Sequence, residues 1–140
     1  MLTEKDIEDF EELFKDTVVS YVGIQLIPTA DKQSITATIP VNKRTSRHGD
    51  LLNGGVSLLL AETIAGLGSC HLCAVDEDAV GVQVSANHVK AALLGDLLTG
   101  VATIEHKGRQ LHTWNVQITN AAGQLISTAR VLNMVVKKRK

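Results

Sequence analysis

The sequence has few aromatic residues, little net charge and only two cysteines. Phe, Trp and Tyr make up 3 % of its 140 residues, so a core has to be built mainly from Val, Leu, Ile and Ala. A formal net charge of −1 provides no overall field to attract nucleic acid or an anionic membrane, and neither is an expected partner. The length predicts one globular domain, 1–140, rather than two.

Targeting and membrane-spanning patterns are also missing. The stretch MLTEKDIEDFEELFKD is acidic and has no apolar segment, so it predicts neither a secretory signal nor a transit peptide, and we expect a cytoplasmic protein. The apolar run 51–75 is interrupted by Asn53, Glu62 and His71, so it predicts no membrane span. The basic run KKRK at 137–140 is interpreted as a solvated tail.

The two cysteines, Cys70 and Cys73, form the pattern C-H-L-C. Such a pair can be a redox motif or half of a metal site, but no second C-x-x-C follows and no thioredoxin-like strand precedes it. At this spacing the two side chains share one face of a helix, and we expect them to be buried in the core. No metal site is predicted.

Hydrophobic periodicity divides the chain into a helix, two strands, a long helix and four strands. Residues 3–15, within an N-terminal helical segment 1–16, have an amphipathic helical pattern, and 19–27 with 34–40 predict a β-hairpin. After the long helix, alternating segments predict strands at about 80–90, 97–107, 110–119 and 124–136. Two sets of side chains are each expected to share one face: Val80, Val82, Val84 and Ala86, and His112, Trp114, Val116 and Ile118.

The long helix carries a single ionisable side chain, Glu62, at its centre. A helix that is apolar on all sides is normally buried, and a lone buried carboxylate costs several kcal/mol unless it is partnered or neutralised. Glu62 is therefore a candidate functional residue, with a structural ion pair as the alternative. Gly54 and Gly55 open the helix, where bare backbone amides can polarise a carbonyl group.

This order of elements predicts an α+β fold in which an antiparallel β-sheet wraps around one long central α-helix. Such a sheet can cover only part of so apolar a helix, and it leaves edge strands unpaired. Dimerisation is the expected remedy.

Three motifs and the order of elements resemble the hotdog-fold acyl-CoA thioesterases over about residues 18–136. The motifs are L-L-N-G-G-V-S-L-L-L-A-E-T, A-N-H-V-K and H-K-G-R. The resemblance is greatest to the enzymes of 4-hydroxybenzoyl-CoA, phenylacetate, menaquinone and enterobactin metabolism. It implies a homodimer or a dimer of dimers that hydrolyses an acyl- or aryl-CoA thioester to the free acid and CoA. No cofactor is implied, because CoA belongs to the substrate.

The resemblance also implies roles for particular residues. The Gly54 N–H would bind the thioester oxygen, Asn53 would position the carbonyl, and Glu62 would act as nucleophile or general base across a dimer interface. Eight helical residues, about 12 Å, separate Gly54 from Glu62, so the two cannot serve one thioester within one chain. Further substrate contacts would fall on Arg47, His48, Gly55, Thr63 and Gly66. CoA contacts would fall on His88, Lys90, Gly108 and Arg109, each of which is otherwise an ordinary strand or turn residue.

Three positions depart from the family pattern. Asn53 stands where His is usual, Arg47 where Gln or Asn is usual, and Gly66 where a hydroxyl often holds the attacking water. Two alternatives to hydrolysis follow. One is dehydration of a 3-hydroxyacyl thioester, with His48 and Glu62 sharing the proton transfers. The other is an acyl-CoA-binding module without catalysis.

Overall fold

The computed structural model describes residues 2–139 and consists of three helices and eight strands in that range. The helices are α1 Glu4–Phe14, α2 Val18–Tyr21 and α3 Gly54–Leu72. The strands are β1 Gln25–Ile27, β2 Ser34–Pro40, β3 Ser46–Arg47, β4 Leu51–Leu52, β5 Glu77–His88, β6 Leu97–Lys107, β7 Leu111–Thr119 and β8 Leu125–Lys137. Of the predicted end segments, Met1 and Lys140 lie outside the described residues.

The first helix begins at the predicted place because Thr3 caps it. The Asp6 N–H donates to Thr3 Oγ1 at 3.1 Å, and the Thr3 N–H donates to Asp6 Oδ2 at 2.9 Å, which forms a capping box. Ile7 is the buried residue of this helix. The predicted helix over 3–15 is confirmed within a residue at each end.

The predicted strand 19–27 is wrong over its first half, where α2 forms a short helix instead. Gly23 adopts a φ of +84°, and its N–H and that of Ile24 donate to the carbonyls of Ser20 and Val19 at 3.1 and 3.2 Å. This left-handed residue ends the helix and turns the chain into β1. Val19 and Val22 are buried at helical spacing, whereas Val22, Ile24 and Leu26 are buried at the spacing of two that is typical of a strand.

Six strands form one antiparallel sheet in the order β1-β2-β6-β7-β8-β5, and β3 pairs with β4 in a separate small hairpin. The sheet packs on α3, and the predicted hotdog architecture is confirmed. The edge strands are β1, with three residues, and β5, with twelve. The β3–β4 hairpin lies between β2 and α3 in the chain.

The expectation that four β5 side chains share one face is wrong because the strand has a bulge. Gly81 pairs with Asn133 and Gln83 with Leu132, which leaves Val82 without a partner and reverses the alternation. Val80 and Val82 are 44 % and 49 % exposed, whereas Val84 is half-buried against the core. The corresponding prediction for β7 is confirmed, since His112, Trp114, Val116 and Ile118 are all buried.

The sheet covers one side of α3 and leaves the other open. Leu60, Ala61, Ile64 and Ala65 are fully buried. The open side, here called the uncovered stripe, consists of Gly55, Leu59, Glu62, Gly66 and Cys70, which are half-buried or exposed. By length and composition α3 is the one helix within 2–139 that could cross a membrane, yet its inner side is packed against the sheet as in a core helix.

The expected burial of the cysteines is wrong for this chain. Cys70 is exposed and Cys73 is half-buried, and both are free thiols. Cys70 lies on the uncovered stripe beside the edge strand β5, and its Sγ is 3.4 Å from Asp78 Oδ1. Partial burial raises the pKa of the Cys70 thiol, which disfavours the reactive thiolate form.

A buried polar cluster holds the second half of α3 against the sheet. Ser69 Oγ accepts hydrogen bonds from Trp114 Nε1 at 2.8 Å and from Asn133 Nδ2 at 2.9 Å, and it lies 3.0 Å from His112 Nδ1. Gly68 lets the helix approach Trp114 closely, because a Cβ there would overlap the indole ring. Burial lowers the pKa of His112.

Candidate active site

The first turn of α3 offers one unused backbone donor. Asn53 caps the helix, and its Oδ1 accepts from the Gly55 N–H at 2.8 Å. The Gly54 N–H has no hydrogen-bond partner among residues 2–139 and points out of a helix N-terminus, where the macrodipole favours negative charge. Because Oδ1 faces Gly55, the Asn53 amide presents its Nδ2 as a second donor.

His88 lies directly over Gly54. Its Nε2 would be 2.9 Å from a Cβ placed on Gly54, so a side chain there would displace the His88 ring. His88 Nδ1 is 2.9 Å from Ser127 Oγ, whose hydroxyl donates to the Asn87 carbonyl at 3.2 Å. The contact between Nδ1 and Ser127 Oγ orients the ring so that Nε2 lies beside Gly54.

Arg47 and His48 lie on the β3–β4 hairpin, which leads into α3. The Asn53 N–H donates to the Thr45 carbonyl at 2.9 Å, and this bond ties the hairpin to the start of the helix. Arg47 Nη2 is 3.3 Å from His48 Nε2, and both side chains are exposed. The hairpin therefore presents a cationic group near the helix N-terminus.

Glu62 lies at the middle of the uncovered stripe, and its carboxylate is exposed rather than buried in this chain. It forms no hydrogen bond and no ion pair with any residue in 2–139, so the alternative of a structural ion pair has no support in that range. Thr63 is half-buried, and a Cβ on Gly66 would have no neighbour within 4 Å. Gly81 of β5 lies against one side of the carboxylate, and the side toward Gly66 is open to water or substrate.

The predicted CoA contacts do not meet within one chain. His88 is at the N-terminal end of α3, and Lys90 follows it closely. Gly108 and Arg109 line an open groove with Leu72 and Cys73 at the C-terminal end of the helix. A helix of 19 residues is about 28 Å long, so the two pairs lie far apart. Their roles stay predictions, and a common site for them requires a second subunit.

Family membership follows from a comparison of the sequence with protein-family models. Residues 49–127 match the model of the thioesterase superfamily. The chain belongs to the thioesterase superfamily. The matched segment contains α3 with Asn53, Gly54 and Glu62, and the hotdog thioesterase resemblance read from the sequence motifs is thereby confirmed.

Individual members of the superfamily are similar over nearly the whole chain. The 1,4-dihydroxy-2-naphthoyl-CoA hydrolase of Escherichia coli is 30 % identical over 130 residues, which are 92 % of this chain and 93 % of that protein. The crystal structure of a thioesterase from Haemophilus influenzae superposes with a TM-score of 0.90 at 30 % identity, covering 98 % of this chain and 92 % of that one. A thioesterase protein from Streptococcus pneumoniae, solved with coenzyme A, has a TM-score of 0.74 at 27 % identity, with coverages of 84 % and 92 %.

Two features of this thioesterase-superfamily site were missed from the sequence. Asn directly before a helix is a known N-cap signal, so the capping role of Asn53 was available locally. Gly81, which lies against Glu62, gave no local signal, because only the folded sheet brings β5 beside the middle of α3. Within residues 2–139 no group of three or more His, Cys, Asp and Glu side chains is arranged to hold a metal, and metal independence stays a prediction.

Proposed function

We propose that this protein hydrolyses an acyl- or aryl-CoA thioester to the free acid and CoA in a homodimer. One observation carries the proposal: the same helix has an unused Gly54 N–H at its N-terminus and an unpartnered Glu62 carboxylate on the uncovered stripe. Membership of the thioesterase superfamily and the relatives' printed activities support the same chemistry.

The two groups need a second subunit to act together. They lie about 12 Å apart along α3. The Gly54 N–H must be within about 3 Å of the thioester oxygen, and Glu62 must be within about 3 Å of the water that attacks the same thioester. A two-fold axis that packs two uncovered stripes together brings Glu62 of one subunit to the Gly54 N–H of the partner subunit. Such packing also covers the apolar residues of the stripe and the long edge strand β5.

In the proposed reaction Glu62 acts as a general base. It takes a proton from water, the resulting hydroxide bonds to the thioester carbon, and the carbonyl oxygen becomes an oxyanion that accepts from the Gly54 N–H. The carbon–sulfur bond then breaks, the electron pair goes to sulfur, and the proton held by Glu62 passes to the thiolate. One such oxyanion hydrogen bond is worth about 3 kcal/mol, or roughly a hundredfold in rate.

The open space at Gly66 favours water over direct attack by the carboxylate. A single turnover in ¹⁸O-labelled water separates the two mechanisms. General-base catalysis places the label in the acid product at once. Attack by Glu62 expels the thiolate and forms a mixed anhydride, and water that then attacks the Glu62 carbonyl carbon leaves the label on the enzyme and gives an unlabelled first product. An unlabelled first product therefore contradicts general-base catalysis.

The function is tested by measuring thiol release from a panel of aryl-, short-chain and long-chain acyl-CoA thioesters. We expect Glu62→Gln and Glu62→Ala to fold normally and to lose activity by at least about a hundredfold, since general-base catalysis contributes 10²–10⁴. Wild-type rates in both variants contradict the proposal. Formation of an enoyl thioester without free thiol indicates a dehydratase, and tight binding without turnover indicates a binding module.

The proposed dimer is tested separately by light scattering coupled to size-exclusion chromatography. We expect twice the 15.0 kDa mass of the chain, or four times if dimers pair. A monomer that retains full thioesterase activity contradicts the shared site.

A further inference from the structure

Gly81 lies where the edge strand β5 passes the carboxylate of Glu62. A Cβ on Gly81 would overlap Glu62 Oε1 and would lie 3.6 Å from Oδ1 of the buried Asn133. Gly81 has no positive φ, so its backbone does not itself require glycine. The position needs glycine for space, and the end of the Glu62 side chain occupies that space.

The β-bulge and the buried polar cluster fix the two sides of this space. Gly81 pairs with Asn133 immediately before the unpaired Val82. Asn133 Nδ2 donates to the Ala65 carbonyl at 3.2 Å and to Ser69 Oγ at 2.9 Å, so β8 is bonded to α3 about one and two turns after Glu62. The separation between the helix and β5 is therefore set at the level of the carboxylate.

We propose that Gly81 is a positioning residue for Glu62, because the notch left by its missing side chain seats the carboxylate on the uncovered stripe. The inference rests on the proposed function of Glu62. No polar group within 2–139 holds the carboxylate, so the shape of the notch determines where it lies. A base must be within hydrogen-bond reach of its water, and a misplacement of about 1 Å costs on the order of a hundredfold in rate.

The variant Gly81→Ala fills the notch with one methyl group. The atom it displaces is the far end of a flexible side chain, so the helix and the strand need not move. We expect kcat to fall by about 10- to 100-fold, KM to change by less than about threefold and Tm to change by less than about 3 °C. A purely structural role would change Tm and leave kcat per folded enzyme unaltered.

Glu62→Asp supplies the matched background. Its carboxylate is one methylene shorter and does not reach the notch, so adding Gly81→Ala should change its remaining kcat by less than about threefold. An equal loss in the wild-type and Glu62→Asp backgrounds overturns the proposal, as does a wild-type kcat in Gly81→Ala. If Gly81→Ala does not fold, a folded Glu62→Asp/Gly81→Ala variant supports an overlap between the new methyl group and the Glu62 carboxylate. If neither variant folds, the proposal is overturned.

The two proposals fail differently. Wild-type activity of Glu62→Gln refutes the proposed function. An inactive Glu62→Gln together with a fully active Gly81→Ala leaves the function intact and refutes the positioning role alone.

Discussion

Replacing Ser69 by Ala tests whether the buried polar cluster holds α3 in place. Ser69 Oγ accepts from Trp114 Nε1 and Asn133 Nδ2, so its single proton is left for His112 Nδ1. Without the hydroxyl, the buried Trp114 N–H and His112 Nδ1 lose their partner, whereas Asn133 Nδ2 keeps the Ala65 carbonyl.

Each buried polar atom left unpaired costs about 1–3 kcal/mol, so the two together predict a loss of roughly 2–6 kcal/mol. For a chain of this length 1 kcal/mol corresponds to about 3 °C in Tm, and the expected decrease is about 6–18 °C. Thermal and urea unfolding followed by far-ultraviolet circular dichroism at pH 7.5 measure it.

Ser57 provides the matched control on the same helix. It is 2 % exposed, and its Oγ has no hydrogen-bond partner among residues 2–139. Ser57→Ala removes an unsatisfied hydroxyl and introduces a better helix former, so its stability should be unchanged or higher by about 0.5 kcal/mol. Equal losses in the two variants, or no loss in Ser69→Ala, refute the cluster as the device that holds the helix.

Two further predictions concern pH and the space beside Glu62. Because burial lowers the pKa of His112 below its ordinary 6.5, the unfolded chain binds a proton before the folded one, and the free energy of unfolding should fall as pH decreases below about 6.5. Tm measured from pH 8 to 5 should show this fall, and His112→Asn should flatten it. Hydrogen bonds lower the pKa values of the Asp6 and Asp31 carboxyl groups, so these groups change the free energy of unfolding only below about pH 3.8. Gly66→Ser adds a hydroxyl one turn from Glu62 in open space. Tm should rise because serine is a better helix former than glycine, and kcat should rise by roughly fivefold if the hydroxyl binds the attacking water. A raised Tm with a lower kcat contradicts the water-holding role.

Local patterns predicted those elements whose signals lie within a few residues. The strand 97–107 was predicted to the residue, because alternation with period two is a local property and turn residues bound it on both sides. The start of α3 at Gly54 followed from the glycine pair and the apolar run after it. The short helix α2 was missed because four residues are too few to separate the two periodicities.

The sequence singled out candidate site residues but not their arrangement. Glu62 and Gly54 stood out by residue type and position in one helix, the role of Asn53 was implied by the family resemblance, and all three roles stay predictions. The site's arrangement depends on residues that are 19 to 34 positions apart in the chain: Gly81 contacts Glu62, and His88 contacts Gly54. No periodicity within a single element reports such contacts.

The sequence by itself determined the long elements, the apolar central helix and the glycine pair at its start, because each depends on side chains a few positions apart. Tertiary structure decided which side of α3 stays uncovered, that Cys70 lies there, and that the bulge at Val82 turns Val80 outward. Sheet register and the separation of helix from sheet set these features. Both arise only when strands distant in sequence pack on the same helix.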